Sequence, residues 1–193
     1  MPNAKDQIIQ TTCALLEAQG YHATGLNQIV KESGTPKGSL YYYFPEGKES
    51  IAEEAIRSAT EMVVQRIRKN LGAVEDPAEA VQAFTQGIAH HIEASGFQSG
   101  GPLTTVALET ATSSPRLNEV CRAAYEKMRL AFAEKLLAAG FSSEQAETLS
   151  ITILAAMEGG ILLSRTHHTG NPLRNVGVCL SKLIQSMQKD QSE

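Results

Sequence analysis

Several residue types are scarce in this 193-residue sequence. It contains no tryptophan and only 5% aromatic residues, and aromatic and β-branched residues are those that favour strands. Alanine, leucine and glutamate, which favour helices, are plentiful, and hydrophobic residues make up 42% of the chain. We find no strand pattern and no internal repeat. The composition therefore predicts an all-α protein with a sizeable core.

Cysteine pairs and long apolar runs are also missing. The three cysteines are far apart and form no CxxC motif, so we expect free, mostly buried thiols in a reducing cytoplasm. The first ten residues lack the apolar core of a signal peptide. No apolar run approaches the ~20 residues that span a bilayer, because Glu158, Gly159 and Gly160 interrupt the richest stretch, Leu149 to Leu163. These absences predict a cytoplasmic protein without a membrane partner.

The common catalytic motifs are absent as well. The sequence has no GxSxG, HExxH or GxGxxG, and Gly47-Lys48 lacks the upstream glycine of a phosphate-binding loop. Two histidine pairs, His90-His91 and His167-His168, offer metal ligands. Adjacent residues on a helix point apart, so such a pair rarely chelates one ion. We therefore expect no enzymatic activity, no cofactor and no metal site.

Acidic residues outnumber basic ones, and the net charge is −4. The chain as a whole is therefore no basic coat for nucleic acid, and any DNA binding must be local. The first 45 residues carry three lysines and three acidic residues. Because few cations are available there, the electrostatic contribution to DNA binding would be modest unless two copies act together.

What the sequence does contain is a series of helix signals, beginning with three helices in the first 45 residues. The first runs from about residue 3 to 19, and the other two are short. Capping and helix-ending residues predict these boundaries: Gly20, Thr24, Gly34, Thr35, Pro36 and Pro45. Two short helices joined by a tight turn that contains glycine are the layout of a helix-turn-helix.

One glycine, Gly38, lies inside the predicted third helix. Glycine in a helix costs roughly 1 kcal/mol relative to alanine, so its presence suggests that something approaches the backbone closely. The partner is either another helix of the same chain or DNA. From this feature alone the two explanations are equally good.

Helical patterns continue through the rest of the chain. Asp76, Pro77 and Glu79 form a strong helix start, and the stretch Gly96 to Gly101 is a flexible break. About nine helices are expected in total. After the first three, the predicted spans are 48–71, 77–94, 103–111, 115–139, 143–165 and 172–188.

The stretch from Gly20 to Ile56 resembles the DNA-binding signature of the TetR/AcrR family. The matching parts are Gly20-Tyr21, Ala23-Thr24, the run KGSLYYYF (37–44) and Lys48-Glu49. The link PEG (45–47) is longer than in most members and is similar to the LmrA/YxaF-like subgroup. The run GGPL (100–103), a Ser-Pro helix start and the run EGG (158–160) agree with that subgroup.

The resemblance implies a DNA-binding transcriptional regulator, a repressor that a small apolar effector releases from a palindromic operator in double-stranded DNA. Residues 1–47 would be the helix-turn-helix domain and 48–193 the helical effector-binding and dimerisation domain. Leu40 and Phe44 would be core. The expected DNA contacts are Thr24, Thr35, Lys37, Gly38, Ser39, Tyr41, Tyr42, Tyr43 and Lys48. The alternative is a helical dimeric interaction or small-molecule-binding protein without specific DNA binding, which leaves the KGSLYYYF segment unexplained.

An effector pocket is expected within the helical bundle, although for any single residue proposed for it ordinary core is the better explanation. Glu158 stands out, because the apolar helix around it should be buried and a buried carboxylate needs a partner. That partner is a ligand or a polar side chain across the bundle. The candidates are Phe84, His91, Phe97, Leu108, Tyr125, Met128, Phe132, Met157, Glu158 and Ile161.

The last predicted helix carries a heptad-like apolar seam. The helix before it is apolar on nearly every side, and its small residues permit close approach of another helix. Two such helices from each chain would form a four-helix interface in a homodimer. The alternative is that the last helix only packs on its own chain. The residues of the expected dimer interface are Leu173, Val176, Leu180, Leu183, Ile184 and Met187.

Overall fold

The computed structural model describes residues 3–101 and 103–189. Pro102 of the GGPL run and the polar tail after residue 189 lie outside the described residues. Within the described ranges every regular element is an α-helix, as the composition predicts. The helices are α1 (Ala4–Ala23), α2 (Leu26–Ser33), α3 (Lys37–Tyr43), α4 (Lys48–Gly72), α5 (Pro77–Ala94), α6 (Leu103–Thr110), α7 (Pro115–Ala138), α8 (Ser143–His167) and α9 (Asn171–Lys189).

Several helix ends follow the local capping rules. The Asp76 side chain accepts the Glu79 backbone N–H at 2.8 Å, with Pro77 at the first helical position of α5. Ser142 and Gln145 form a reciprocal capping box at the start of α8, one residue before the predicted start. Gly34 ends α2 in the left-handed conformation with φ of 66°, which glycine adopts without steric cost. These ends were predictable because each is set by neighbouring residues.

The ends around the helix-turn-helix differ from the prediction at three points. α1 does not stop at Gln19 but continues to Ala23 through a kink at Gly20, where φ is 79° and ψ is −177°. Gly25 and Pro36, not Thr24 and Thr35, occupy the N-cap positions of α2 and α3, and neither makes a side-chain cap hydrogen bond. The helix-turn-helix therefore begins after a bend in the backbone that the sequence pattern did not reveal.

The chain divides into two compact units. The described residues of the first lie within 1–62 and 101–125, and those of the second within 63–100 and 126–193. The division falls inside α4 and α7. It does not coincide with residue 47, and the end of the DNA-binding domain at that residue stays a prediction.

Each unit has an apolar core of its own. In the first unit α1 packs against α2, α3 and α6; the fully buried side chains there include Ile8, Leu16, Ile29, Leu40, Ile51 and Leu117. In the second unit α5, α8 and α9 pack together. The Phe84 and Phe132 rings meet edge to face at 5.8 Å between centroids. Ala89, Ile92 and Leu173 form a buried cluster flanked by Ile88, Phe97 and Ile161.

α8 is less buried than expected. The sequence predicts burial for residues 149–163, but Ile151, Leu162 and Leu163 are about half exposed. α8 is also the one helix among the described residues with the length and apolar composition to cross a membrane. Of its most apolar 18-residue stretch, 33% is buried. One such helix is a weak indication, because core helices of soluble proteins pass the same test.

The three cysteines, expected to be free and mostly buried, differ in how far they are buried. Cys121 is buried, Cys13 is half-buried and Cys179 is exposed, and all three are free. The Cys13 thiol donates to the Ala55 carbonyl oxygen at 3.1 Å. Burial raises the pKa of the Cys13 and Cys121 thiols to about 11. These two thiols are therefore poor nucleophiles at neutral pH.

Candidate nucleic-acid interface

α3 separates its side chains into a buried and an exposed face. Leu40 is fully buried and Phe44, at the C-cap, is 3% exposed, as the resemblance implies. Tyr41, Tyr42 and Tyr43 are 45%, 79% and 39% exposed. Three adjacent exposed tyrosines give the helix a surface of the kind that can bind DNA phosphates and sugars.

The start of α3 is open on its outer side. Lys37 and Gly38 are exposed and Ser39 is half-buried; the Lys37 ammonium lies 5.9 Å from the centroid of the Tyr41 ring. A Cβ atom on Gly38 would meet no described atom within 4 Å outside its own helix backbone and chain neighbours. No helix of the described chain crosses there, so the first of the two explanations for Gly38 is wrong.

Thr24 and Thr35 do not share this surface, which corrects the expectation that their side chains meet DNA. Thr24 is 1% exposed and its hydroxyl donates to the Gly20 carbonyl oxygen at 2.7 Å. Thr35 is 5% exposed and its hydroxyl lies 2.8 Å from that of Ser33. Both hydroxyl groups have partners inside the first unit, and neither can reach DNA in this conformation.

Lys48 has partners within the chain as well. Its Nζ lies 4.2 Å from the centroid of the Tyr21 ring and donates to the His22 carbonyl oxygen at 3.4 Å. Burial lowers the pKa of Lys48, partly offset by the charge of Glu109. A cation at the start of a helix is unfavourable by itself, and the Tyr21 ring and the His22 carbonyl oxygen give it partners within the chain.

The link between α3 and α4 is held by the start of α7. Arg116 forms ion pairs with Glu46 and Glu53, and the Ser114 hydroxyl donates to Glu49. The two ion pairs raise the pKa of Arg116. Hydrogen bonds from Arg57 and then from Arg116 lower the pKa of Glu53. No local sequence signal points to these contacts, because the partners lie more than 60 positions apart.

A further pair of contacts joins α6 to the bend in α1. One carboxylate oxygen of Glu109 accepts the backbone N–H groups of Tyr21 and His22 at 2.6 and 2.9 Å. Glu109 could not be found from the sequence, because it lies in a short helix without a recognisable motif. The local sequence feature connected with this contact is on the partner's side, in the Gly20-Tyr21 pair of the family signature.

The expected effector residues are not all interior. In the second unit Phe84, Met128, Phe132 and Met157 are buried, and Phe97 and Ile161 are half-buried. His91 of the second unit is exposed and Leu108 of the first unit is 78% exposed, so neither side chain is interior, and their role in effector binding stays a prediction. In the first unit Tyr125 is half-buried and its hydroxyl lies 3.4 Å from that of Thr104. Glu158 is half-buried rather than enclosed.

The apolar seam of α9 faces its own chain. Leu173 and Ile184 are fully buried and Leu180 is 4% exposed, because α9 packs against α5 and α8. These three residues are therefore not part of a dimer interface, which corrects the expectation. Val176 and Met187 are half-buried, and Leu183 is 37% exposed.

Among the described residues no group of three or more His, Cys, Asp or Glu side chains could hold a metal ion.

Comparison with known proteins agrees with the geometry of α2 and α3. Residues 8–55 match the family model of bacterial regulatory proteins of the tetR family. Residues 77–179 match the C-terminal domain of LmrA/YxaF-like transcriptional regulators. The second match covers more than half of the chain.

The similarity to individual relatives covers nearly the whole chain. The HTH-type transcriptional regulator LmrA of Bacillus subtilis (strain 168) is 39% identical, over 95% of this chain and 97% of the relative. YxaF of the same organism is 42% identical, over 95% and 96%. A TetR regulatory protein from Rhodobacter sphaeroides shares the fold, with a TM-score of 0.82 at 20% identity over 93% and 97% of the two chains.

A structure of a relative with bound DNA also shares the fold. The TetR family regulator CifR, in complex with 26-base-pair operator DNA, has a TM-score of 0.78 at 17% identity, over 92% of this chain and 94% of that one. Proteins of this family are transcriptional regulators and not enzymes. The chain belongs to the TetR family of DNA-binding transcriptional regulators, with a C-terminal domain of the LmrA/YxaF type.

Proposed function

We propose that this chain is a cytoplasmic, homodimeric repressor that binds a palindromic operator through α3 and leaves it when a small apolar molecule binds. The observation that carries the DNA contact is the open surface at Gly38. A helical glycine costs roughly 0.5–1 kcal/mol relative to alanine, and no described neighbour within the chain requires it. A partner outside the chain, such as the DNA backbone, accounts for it.

The side chains around Gly38 suit that partner. Lys37 supplies a cation, and the hydroxyl groups of Ser39, Tyr41, Tyr42 and Tyr43 supply hydrogen-bond donors for phosphate oxygens. All three tyrosines are more than a third exposed, so DNA can reach them without rearrangement of α3. Lys48 joins this surface only if it leaves Tyr21 and His22.

Dimerisation is supported by the apolar side chains that the single chain leaves exposed. On α8 these are Ile151, Leu162 and Leu163, and on α9 they are Val178 and Leu183. Exposed apolar patches of this kind are typical of protein–protein interfaces. Two copies would also give the neutral N-terminal region two half-sites to bind, and so a larger electrostatic contribution.

The effector would bind among apolar side chains of the second unit. Phe84, Met128, Phe132 and Met157 are the buried candidates there, with Phe97, Glu158 and Ile161 half-buried. An apolar molecule that favours one arrangement of the dimer would change operator affinity by about 1–3 kcal/mol, the usual range for allosteric coupling. Repression follows if the operator overlaps a promoter.

DNA selection from a random-sequence pool, followed by titration of the recovered duplex, tests this function. We expect a palindromic sequence. Lys37→Ala should weaken binding. It should also reduce the slope of log affinity against log salt concentration by about one, the value for one phosphate contact. Tyr42→Phe should weaken binding while leaving stability unchanged, because Tyr42 is 79% exposed. Recovery of no preferred sequence, or a Lys37→Ala/Tyr42→Phe variant that binds as tightly as wild type, would show that the assignment of α3 is wrong.

A further inference from the structure

The last turn of α1 is bent in a way that only glycine permits. At Gly20 φ is 79° and ψ is −177°, which side-chain-bearing residues rarely adopt. A Cβ atom there would also lie 2.3 Å from Glu109 Oε1 and 2.9 Å from Thr105 Cγ2. Both the conformation and the space therefore require glycine at this position.

The bend directs two backbone N–H groups at the same acceptor. Tyr21 and His22 donate to Glu109 Oε2 at 2.6 and 2.9 Å, and His22 Nε2 lies 3.3 Å from the Glu109 carbonyl oxygen. Hydrogen bonds to a charged acceptor are stronger than neutral ones. Without the carboxylate the half-buried Tyr21 amide would lose its partner, which destabilises this conformation.

A side chain at the start of α4 contacts the same segment. Lys48 donates to the His22 carbonyl oxygen at 3.4 Å, and its ammonium lies over the Tyr21 ring. The carboxylate thus binds the amides of the bend while the ammonium binds its carbonyl group. We call residues 20–22 with Glu109 and Lys48 the α1 clasp.

The α1 clasp leads directly into the helix-turn-helix. The Thr24 hydroxyl donates to the Gly20 carbonyl oxygen at 2.7 Å, and the Thr24 N–H donates to the Tyr21 carbonyl oxygen at 3.2 Å. Gly25 then accepts the first backbone bond of α2, from Ile29 at 3.0 Å. The position of α2 therefore depends on how the bend is held.

We propose that Glu109 is a positioning residue for DNA binding. Its carboxylate fixes the bend at Gly20, and the bend sets the direction in which α2 and then α3 leave α1. The proposal rests on the proposed contact between α3 and DNA, but Glu109 acts through the backbone and not on DNA. It also gives the Gly20-Tyr21 pair of the family signature a structural role in the α1 clasp.

Whether loss of the Glu109 charge weakens or tightens DNA binding distinguishes a positioning role from a purely electrostatic effect. Removing a negative charge should by itself tighten binding to the phosphate backbone, whereas loss of the α1 clasp should weaken it. Glu119→Gln is the matched control, because Glu119 lies on α7 in the same unit and pairs only with Arg122 on its own helix among the contacts observed. The charge change is identical and the clasp is untouched.

The test is an anisotropy titration of the full chain with the duplex that the wild type recovers from a random-sequence pool. We expect Glu109→Ala to bind about tenfold more weakly, Glu109→Gln to fall between it and wild type, and Glu119→Gln to bind at least as tightly as wild type. Hydrogen exchange of the Tyr21 and His22 amides should be slow in wild type and faster in Glu109→Ala. If Glu109→Ala fails to fold, the isosteric Glu109→Gln supplies both measurements.

Two results would overturn the inference. One is that Glu109→Gln and Glu109→Ala bind the duplex as tightly as Glu119→Gln. The other is that amide exchange at Tyr21 and His22 does not change. A wild-type chain that recovers no sequence from the pool overturns the proposed function, and the positioning role with it, while amide exchange still reports on the α1 clasp.

Discussion

Glu93 and Arg174 join α5 to α9 through an ion pair in which Glu93 Oε1 also accepts the Gly170 backbone N–H at 2.9 Å. Glu93 therefore binds a side chain of α9 and the backbone just before it. The hydrogen bonds from Arg174 and Gly170 hold the pKa of Glu93 below its usual range.

This lowered pKa predicts how stability depends on pH. A carboxyl group whose pKa is lower in the folded state stabilises the fold above its unfolded pKa, about 4.3 for glutamate. The contribution is lost as the pH falls through the folded pKa. We expect the thermal midpoint of Glu93→Gln to lie below that of wild type at pH 7, and the difference between the two midpoints to be smaller at pH 3. The same comparison for Glu119→Gln, in the exposed pair Glu119–Arg122, is the control. A difference between Glu93→Gln and wild type of equal size at both pH values would contradict the prediction.

Gly177 allows α5 and α9 to approach closely. A Cβ atom on Gly177 would lie 1.9 Å from Thr85 Oγ1, and Thr85 is fully buried. We expect Gly177→Ala to lower the free energy of unfolding by about 1–3 kcal/mol. Gly87→Ala, in α5 with open space around it, should raise it by up to about 1 kcal/mol. Urea unfolding measures both, and two changes of the same sign would contradict this packing.

Features set by neighbouring residues were predictable from the sequence. The capped start at Asp76-Pro77 and the left-handed end at Gly34 follow from backbone chemistry within a few positions. The buried Leu40 and Phe44 with exposed tyrosines between them follow from helical periodicity and the family signature. These local rules were enough to identify the helix-turn-helix.

Features that depend on distant residues were not predictable. The seam of Leu173, Leu180 and Ile184 showed that one face of α9 is apolar, but periodicity does not reveal whether the same chain or another covers it. Glu109 binds amides 87 and 88 positions away. The Thr24 hydroxyl donates to Gly20 instead of capping α2, because α1 continues to Ala23 and leaves Thr24 at its C-cap.

Exposed apolar side chains on α8, and not the buried seam of α9, are the ones whose substitution should separate the dimer. Leu162 is 59% exposed in the single chain, so Leu162→Glu should give folded monomers. Leu180 is 4% exposed, and Leu180→Glu should destabilise the chain itself, because it buries a charge among apolar neighbours. Leu137→Glu on α7, at 47% exposed, should leave the dimer intact. Sedimentation of all three variants checks this, and a wild type that sediments as a monomer at micromolar concentration would refute the dimer.

The measurement that tests the DNA contact most directly is the operator affinity of Gly38→Ala, with its stability measured in parallel. The open space around Gly38 predicts a fold as stable as wild type or slightly more stable. Close approach of DNA predicts a loss of roughly ten- to hundredfold in affinity for the recovered duplex. A stable Gly38→Ala variant that binds the duplex as tightly as wild type would contradict the assignment of this surface to DNA.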